Sequence, residues 1–341
     1  MSAERPTAVS RQGRGQPEEC PAIEDSGDER SVPKLPGMNA SELVAPLTAE
    51  QSPATGPILL RRRRVGASEL RVFPVGLNGF GFGSTVGTDA AFDLLDTYRA
   101  LGGNFIDTDA SNDGCSEAFV GRWLSSRGAR SSVILSATVG SRADSPGVGH
   151  AAIARAVDLS LARLQTDYID LLLLGLDDAT EPFEETLLAV DGLVRAGKVR
   201  YAGTADHDAN RLVEARVIAA MLGVAPLVAA QCDYGLANRQ EFEGSLASVI
   251  VEQGLAALPR VPLSAPTFAR RRRRILAELD RIAGEHHVSP ATIAFAWLLS
   301  KPAVCAPVSA VSTADQLLDL VAATTVQFTR HQVALLDRAS D

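Results

Sequence analysis

The chain has 341 residues, of which 46% are apolar and 22% are charged, and its formal net charge at pH 7 is −8. This length is sufficient for one large α/β domain or for two smaller domains. The acidic balance argues against a nucleic-acid partner, and no apolar run approaches the ~20 residues that span a membrane. The start of the chain lacks the apolar core of a signal peptide, and its four cysteines lack metal-ligand spacing. We therefore expect a cytoplasmic globular protein with free thiols and no metal.

The first 57 residues differ in composition from the rest of the chain. They are rich in Pro, Glu, Ser and Gly and show no sustained apolar period. Too little apolar surface is present to offset the entropy lost on ordering. We predict a disordered extension over residues 1–57 and a single domain over residues 58–341.

From residue 58 onward, short β-rich runs alternate with stretches of helical period. Residues 171–174 are all Leu, without the alternation of a half-exposed strand, which indicates a parallel sheet buried on both faces. The β-rich runs lie at residues 72–77, 104–107, 132–137, 169–174, 199–204, 227–231, 255–259 and 303–308. Because helix-like sequence follows each run, the pattern predicts an α/β fold of the closed (β/α)8 TIM-barrel type.

A doubly wound open sheet is the competing fold. It would require a glycine-rich turn after its first strand, and residues 76–83 are rich in glycine. However, the G-x-G-x-x-G spacing is absent there, and no helical pattern follows until about residue 88. The barrel is therefore the favoured interpretation.

Several segments of the chain resemble the aldo/keto reductase family, and the resemblance covers roughly residues 58–341. The segments lie at residues 61–83, 104–117, 132–140, 168–178, 197–209 and 285–302. The resemblance implies a barrel whose bottom is closed by a short β-hairpin at about residues 59–75. It also implies NADPH-dependent carbonyl reduction by an Asp, a Tyr, a Lys and a His at the strand ends.

At the positions of this tetrad, the chain matches the family in one residue only. Asp107 matches the Asp, whereas Asn112, Thr138 and Gly175 stand at the positions of the Tyr, the Lys and the His. In the family the Tyr hydroxyl donates a proton to the carbonyl while the other groups assist it. Because an amide is not a proton donor of phenolic strength, these replacements predict the loss of ordinary carbonyl reduction.

The cofactor contacts that the resemblance implies are also depleted. Gln231 and Gln316 match family positions, but Arg260 stands where an aromatic ring usually stacks on the nicotinamide. Ala205 and Asp206 replace a Ser-Asn pair that holds the carboxamide. We therefore predict that NADP(H) binding is weak or lost. If a nicotinamide cofactor is retained, Gln231, Gln316 and Arg260 are the residues expected to contact it.

Other polar residues follow the predicted strands and form a second set of candidates. They are Asp107, Asp109, Asp113, Asp177, Asp178, Asp206, His207, Asp233 and Arg260. Converging carboxylates could bind a cation or an amine-bearing substrate, or they could be solvated loop acids. Burial without a nearby cation raises the pKa of a carboxyl group, so Asp107 is a candidate acid or base.

His207 directly follows the fifth predicted barrel strand and titrates in the range useful for proton transfer. We predict Asp107, His207, Asp177 and Asp206 as the catalytic residues. Two alternatives remain open at this point. Asp107 could merely hydrogen-bond to Thr138 and to backbone amides, and His207 could be an exposed loop residue.

Three functions are compatible with these observations. The first is a barrel repurposed for acid/base chemistry without redox, such as dehydration, isomerisation or cyclisation of a small molecule. The second is a non-catalytic pseudoenzyme that binds a small molecule or a protein partner. The third is an NAD(P)-dependent oxidoreductase that uses substitute residues. The oligomeric state does not follow from the sequence.

Overall fold

The computed structural model describes residues 62–108, 114–140, 149–175, 183–261 and 269–341, excluding the side chains of residues 269 and 270. The predicted extension, residues 1–57, lies outside these ranges. The strands are β1 (Arg63–Arg64), β2 (Arg71–Val72), β3 (Gly76–Asn78), β4 (Phe105–Thr108), β5 (Ile134–Val139), β6 (Ile169–Leu174), β7 (Val199–Ala205), β8 (Leu227–Asp233), β9 (Ala256–Arg260) and β10 (Val308–Ala310). The helices are α1 (Thr88–Ala100), α2 (Cys115–Arg127), α3 (His150–Leu164), α4 (Phe183–Arg195), α5 (Ala209–Leu222), α6 (Ser245–Glu252), α7 (Ala269–His286), α8 (Pro290–Leu299), α9 (Ala314–Ala322) and α10 (Arg330–Ser340).

Strands β3 to β10 form a closed barrel in the order β10-β3-β4-β5-β6-β7-β8-β9. Every neighbouring pair in this order is parallel, including the pair of β10 and β3 that closes the barrel. The predicted (β/α)8 barrel is confirmed. We call the carboxyl ends of these strands the mouth and their amino ends the bottom.

A hairpin of β1 and β2 packs at the bottom of the barrel, as predicted. Its strands pair antiparallel, and its turn contains Gly66 with a φ of +50°. A Cβ atom on Gly66 would collide with the carbonyl oxygen of Val228, near the start of β8. Glycine therefore permits both the left-handed turn and the close approach of the hairpin to the barrel.

The first and last barrel strands are displaced from their predicted positions. The apolar run 72–77 was expected to form the first strand, but Val72 belongs to the hairpin and β3 begins at Gly76. Likewise, β10 begins at Val308, the last residue of the run 303–308. A proline precedes each of these two strands. Pro74 lies two residues before β3, and Pro307 lies one residue before β10. Because proline lacks an N–H group, it does not donate to a strand ladder.

Capping side chains determine where several helices begin. Helix α5 starts after Asp208, whose side chain accepts a hydrogen bond from the backbone N–H of Arg211 at 2.8 Å. Helix α10 begins with a reciprocal capping box between Thr329 and Gln332. Such caps satisfy backbone N–H groups that have no partner inside the helix. The cap at Asp208 thus fixes the chain immediately after β7, where the mouth lies.

Large apolar side chains fill the barrel below its mouth. Phe105, Leu171, Leu173, Leu258 and Val308 are all buried and belong to one cluster. Because bulky side chains occupy this volume, polar chemistry is confined to the layer above them. Within the described ranges, no helix has both the length and the apolar character required to cross a membrane.

The cysteines differ from the expectation of four free thiols. Cys232 and Cys305 are free, and burial raises the pKa of each thiol to about 12. Cys115, at the start of α2, takes part in a disulfide, so the expectation is wrong for this residue.

Candidate active site

The predicted catalytic positions in the described residues lie at the mouth. Asp107 lies in β4, Thr138 in β5, and Gly175 directly follows β6. Asp206 and His207 directly follow β7. In barrels of this architecture, reactive groups come from the carboxyl ends of the strands. The predicted residues Asn112 and Asp177, together with Asp109, Asp113 and Asp178, lie outside the described residues.

The carboxylate of Asp107 lies at the centre of a buried hydrogen-bond network. Its side chain is 2% exposed, and its Oδ2 accepts hydrogen bonds from Asn78 Nδ2 at 2.9 Å and from Gln231 Nε2 at 3.1 Å. Its Oδ1 accepts from the hydroxyl of Ser136. These donors come from β3, β8 and β5, so the network crosses the barrel interior. All three of these donors are neutral side chains.

The partner on β5 differs from the one considered in the sequence analysis. Asp107 pairs in register with Ser136, not with Thr138, because the strands β4 and β5 align these two residues. Thr138 lies two residues farther toward the mouth and is half-buried. Gly175 donates its backbone N–H to Val139 O at 2.7 Å. The ends of β5 and β6 therefore carry neither an amine nor an imidazole.

His207 is buried, so the alternative of an exposed loop residue is wrong. Its side chain is 6% exposed, and its ring lies 6.0 Å from the ring of Phe183 at the start of α4. Nδ1 lies 3.0 Å from the carbonyl oxygen of Ala205 and donates its hydrogen there, since a carbonyl only accepts. Nε2 is buried and has no hydrogen-bond partner in the structure described.

The protonation state of His207 follows from its surroundings. Burial lowers the pKa of the imidazole, although the Ala205 carbonyl and the nearby carboxylates Asp206 and Asp208 oppose this effect. The ring is consequently neutral near pH 7, with its hydrogen on Nδ1. In this tautomer Nε2 carries the lone pair, and within the described residues no donor reaches it.

An ion-pair cluster occupies the rim beside His207. Arg260 donates from Nη2 to Asp206 and from Nε to Asp233 Oδ1 at 3.2 Å. Burial opposes the charge of Arg260, but the two carboxylates outweigh it and raise the pKa of the guanidinium. Asp206 has a φ of +62°, and its backbone N–H donates to Gln231 O at 3.0 Å. Arg260 and Asp206 are thus engaged with each other.

The three residues predicted to contact a cofactor all bond to other groups of the chain. Gln231 directs its amide to Asp107, and Arg260 is bound by two carboxylates. Gln316 accepts hydrogen bonds through Oε1 from the backbone N–H and the hydroxyl of Ser312, at 2.8 and 3.1 Å, near the start of α9. In this conformation, all three side chains have polar groups bonded to the chain itself. Each of these groups would have to exchange its present partner to contact a nicotinamide dinucleotide.

Three residues of the mouth were missed by sequence reasoning. Asn78 and Ser136 hold the Asp107 carboxylate, and the backbone N–H of Phe80 donates to Asn78 Oδ1 at 2.6 Å. The Phe80 ring is 53% exposed. Alternation along β5 would have placed Ser136 on the same barrel face as Thr138. No group of three or more potential metal ligands occurs among the described residues.

The comparisons with known proteins agree with this architecture. The sequence model of the aldo/keto reductase family matches residues 74–341. An aryl-alcohol dehydrogenase of Pestalotiopsis microspora is 29% identical over 327 residues, covering 85% of this chain and 85% of that protein. A norsolorinic acid reductase of Emericella nidulans is 31% identical over 298 residues, covering 76% of this chain and 77% of that protein.

A solved structure is similar as well. The crystal structure of a thermostable aldo-keto reductase in complex with the inhibitor epalrestat matches with a TM-score of 0.71 and 24% identity. The match covers 82% of this chain and 99% of that chain. At this identity, the likeness shows the fold alone.

Proposed function

The chain belongs to the aldo/keto reductase family, and on that premise we propose that it transforms a small organic molecule by proton transfer, without transfer of a hydride. The reaction class is a dehydration, an isomerisation or a cyclisation at the mouth of the barrel. Each of these begins with removal of a proton from carbon or oxygen and ends with its return elsewhere. None requires a nicotinamide.

The single observation that carries this proposal is the state of His207. A neutral imidazole with an unpaired, buried Nε2 is suited to act as a general base. The hydrogen bond from Nδ1 to Ala205 O holds the tautomer in which Nε2 accepts. After Nε2 takes a proton, the carboxylates of Asp206 and Asp208 stabilise the imidazolium, and the ring can return the proton to the product.

Asp107 contributes as the central hydrogen-bond acceptor of the site. Its carboxylate fixes the amides of Asn78 and Gln231, and Asn78 in turn accepts from the backbone of Phe80. We assign Asp107 a positioning role in the ground state, with a direct proton-transfer role open to it when a substrate displaces one donor. The exposed ring of Phe80 offers an apolar surface beside this network.

The experiment uses the full chain with a ketone whose α-protons are acidic. Wild-type protein is incubated with 2-tetralone in D2O, and α-proton exchange is followed by NMR without any nicotinamide. We expect exchange to be accelerated, and His207→Gln to reduce the acceleration by about 10²- to 10⁴-fold, the usual contribution of a general base. His331→Gln, which changes an exposed histidine of α10, is the matched control. Equal exchange by wild type and His207→Gln would contradict the proposal.

The second candidate is a nicotinamide-dependent oxidoreductase, and the names of the relatives favour it. Both relatives described above are named for redox reactions, one as a dehydrogenase and one as a reductase. A fluorescence titration with NADPH separates the two candidates. Micromolar saturation followed by oxidation of NADPH on addition of an aryl aldehyde supports the second candidate. Absence of saturation supports the first.

A further inference from the structure

A concave site lies at the bottom of the barrel, at the opposite end from the mouth. Its volume is about 460 Å³, within the range of small-molecule sites. Three segments form its walls: the hairpin, the residues just before and at the start of β9, and the connection from α8 to β10. The residues of the mouth do not contribute to it.

Among the described residues, the charged side chains that line this cavity are all basic. They are Arg63, Arg64 and Lys301, and no described Asp or Glu lines it. Lys301 already has a counterion, since its Nζ lies 2.9 Å from Asp337 Oδ1 and 4.3 Å from the centre of the Trp297 ring. The positive charge that remains belongs to the two arginines.

Both arginines are bound by neutral groups of the chain. Arg63 donates from Nη1 to Val304 O at 3.0 Å and from Nη2 to Leu299 O at 3.1 Å. Arg64 donates from Nε to Ser68 O and from Nη2 to a backbone carbonyl at 3.3 Å. Within the described ranges, neither guanidinium forms an ion pair. Burial lowers the pKa of Arg63, which reflects the cost of holding this cation away from water.

The register of the hairpin adds a further positive charge. Arg64 lies directly opposite Arg71 in the antiparallel pair, so both side chains project from the same face. Like charges placed opposite one another destabilise a strand pair. Arg71 itself does not line the cavity, so an anion bound there would compensate the burial of Arg63 and lie beside Arg64.

Apolar residues also contribute to the cavity wall. Leu255 and Val304 are buried and line it together with the thiol-bearing Cys305. We propose that this cavity binds a small organic anion, whose carboxylate or phosphate group contacts Arg63 and Arg64 and whose apolar part packs on Leu255 and Val304. The site is separate from the mouth and does not depend on the reaction proposed there.

A purely structural role for the arginines gives a different expectation. Arg63 bonds a carbonyl at the end of α8 and could serve only to attach the hairpin to that helix. In that case no anion binds, and replacing Arg64 changes no affinity. Because Arg63→Gln removes this attachment and could unfold the hairpin, Arg64→Gln carries the test.

The test is calorimetric titration of the full chain with benzoate, phenyl phosphate and benzamide. We expect saturable binding of at least one anion, no binding of uncharged benzamide, and affinity about tenfold or more weaker in Arg64→Gln, as for loss of a charge-assisted hydrogen bond. Arg62→Gln is the matched control, because Arg62 is exposed beside the cavity without lining it. The comparison of benzoate with phenyl phosphate identifies the preferred head group.

Hydrogen exchange locates the binding. Bound anion should protect the amides of Val65 and Leu70 in the hairpin, and His207→Gln should leave the affinity unchanged. The proposal is overturned by absence of saturable binding for both anions, by equal binding of benzamide, by equal affinity of Arg64→Gln and Arg62→Gln, or by protection confined to the mouth.

Discussion

The two ends of the barrel hold their charged side chains in opposite ways. At the mouth, the cation of Arg260 lies between the carboxylates of Asp206 and Asp233. At the bottom, the guanidinium groups of Arg63 and Arg64 bond only to carbonyl oxygens within the described residues. A charged side chain that already has a counterion in the chain gains little free energy from binding a charged ligand. A charged side chain without a counterion gains more.

This difference indicates how each end would recognise a ligand. Among the described residues of the mouth, the groups without a partner in the chain are neutral, above all Nε2 of His207 and the exposed ring of Phe80. Recognition there depends on hydrogen bonding and on apolar contact. At the bottom, recognition depends on charge. Variants at each end can show whether the polar groups of the mouth are paired within the chain. They can also show whether the hairpin packs tightly against the bottom of the barrel.

The largest effect is expected from removing the carboxyl group at the centre of the buried hydrogen-bond network of the mouth. Asp107→Ala leaves the donors of Asn78, Ser136 and Gln231 without their acceptor inside the barrel. Since each unsatisfied buried donor costs ~1–3 kcal/mol and water can enter the new space, we expect a loss of about 3 kcal/mol. Urea unfolding measures the change in the free energy of unfolding.

The matched control for this variant changes a carboxylate on the rim. Asp233→Asn removes one partner of Arg260 at a side chain that is 48% exposed. Exposed ion pairs contribute at most about 1 kcal/mol, so this variant should unfold almost as wild type. If both variants lost the same free energy of unfolding, the Asp107 network would stabilise the fold no more than the exposed ion pair of Arg260 and Asp233.

A smaller effect is expected at the bottom, from Gly66→Ala. The new methyl group would collide with the carbonyl oxygen of Val228, and the φ of +50° is unfavourable for alanine. We expect a loss of about 2 kcal/mol from overpacking and backbone strain together. The same unfolding measurement applies.

Gly128→Ala is the control that separates these two causes. Gly128 ends α2 with a φ of +55°, but a Cβ atom there would meet no atom within 4 Å. It therefore reports the backbone strain alone, about 1 kcal/mol. If Gly66→Ala cost no more than Gly128→Ala, the hairpin would be free to move away from the barrel.

The fold was predictable because local patterns record it directly. The unbroken apolar run at 171–174 indicated a strand buried on both faces, and β6 occupies it. The limits of β3 and β10 were not predictable from apolar character. Hydrogen bonding to the neighbouring strands decides which residues of each run form β3 and β10. Pro74 and Pro307, which lack an N–H group, lie outside these strands.

The candidate site was predictable only in part, because its contacts depend on three-dimensional register. The inward position of Asp107 follows from strand alternation, but its partner on β5 depends on how β4 and β5 align. The burial of His207 depends on Phe183, which arrives from the start of another helix. Neither relation is encoded locally. The roles predicted for Asn112 and Asp177 stay predictions.

The smallest effect concerns pH and the imidazole at the mouth. Because burial lowers the pKa of His207 in the folded state, the unfolded chain binds a proton first as the pH falls below about 6.5. The contribution of His207 to the free energy of unfolding is therefore fully present above that pH. It is lost as the pH falls toward the lower pKa of the folded state. Each unit by which the folded-state pKa lies below the unfolded-state pKa corresponds to about 1.4 kcal/mol in the free energy of unfolding.

His207→Gln should remove this part of the pH dependence. Unfolding free energies at pH 7.5 and pH 5.5 should differ less in the variant than in wild type, while the exposed control His331→Gln should retain the wild-type difference. An unchanged difference in His207→Gln would mean that the imidazole is protonated as readily in the folded as in the unfolded chain. The ring would then be open to water, and the contrast between a mouth that recognises through neutral groups and a bottom that recognises through charge would no longer hold.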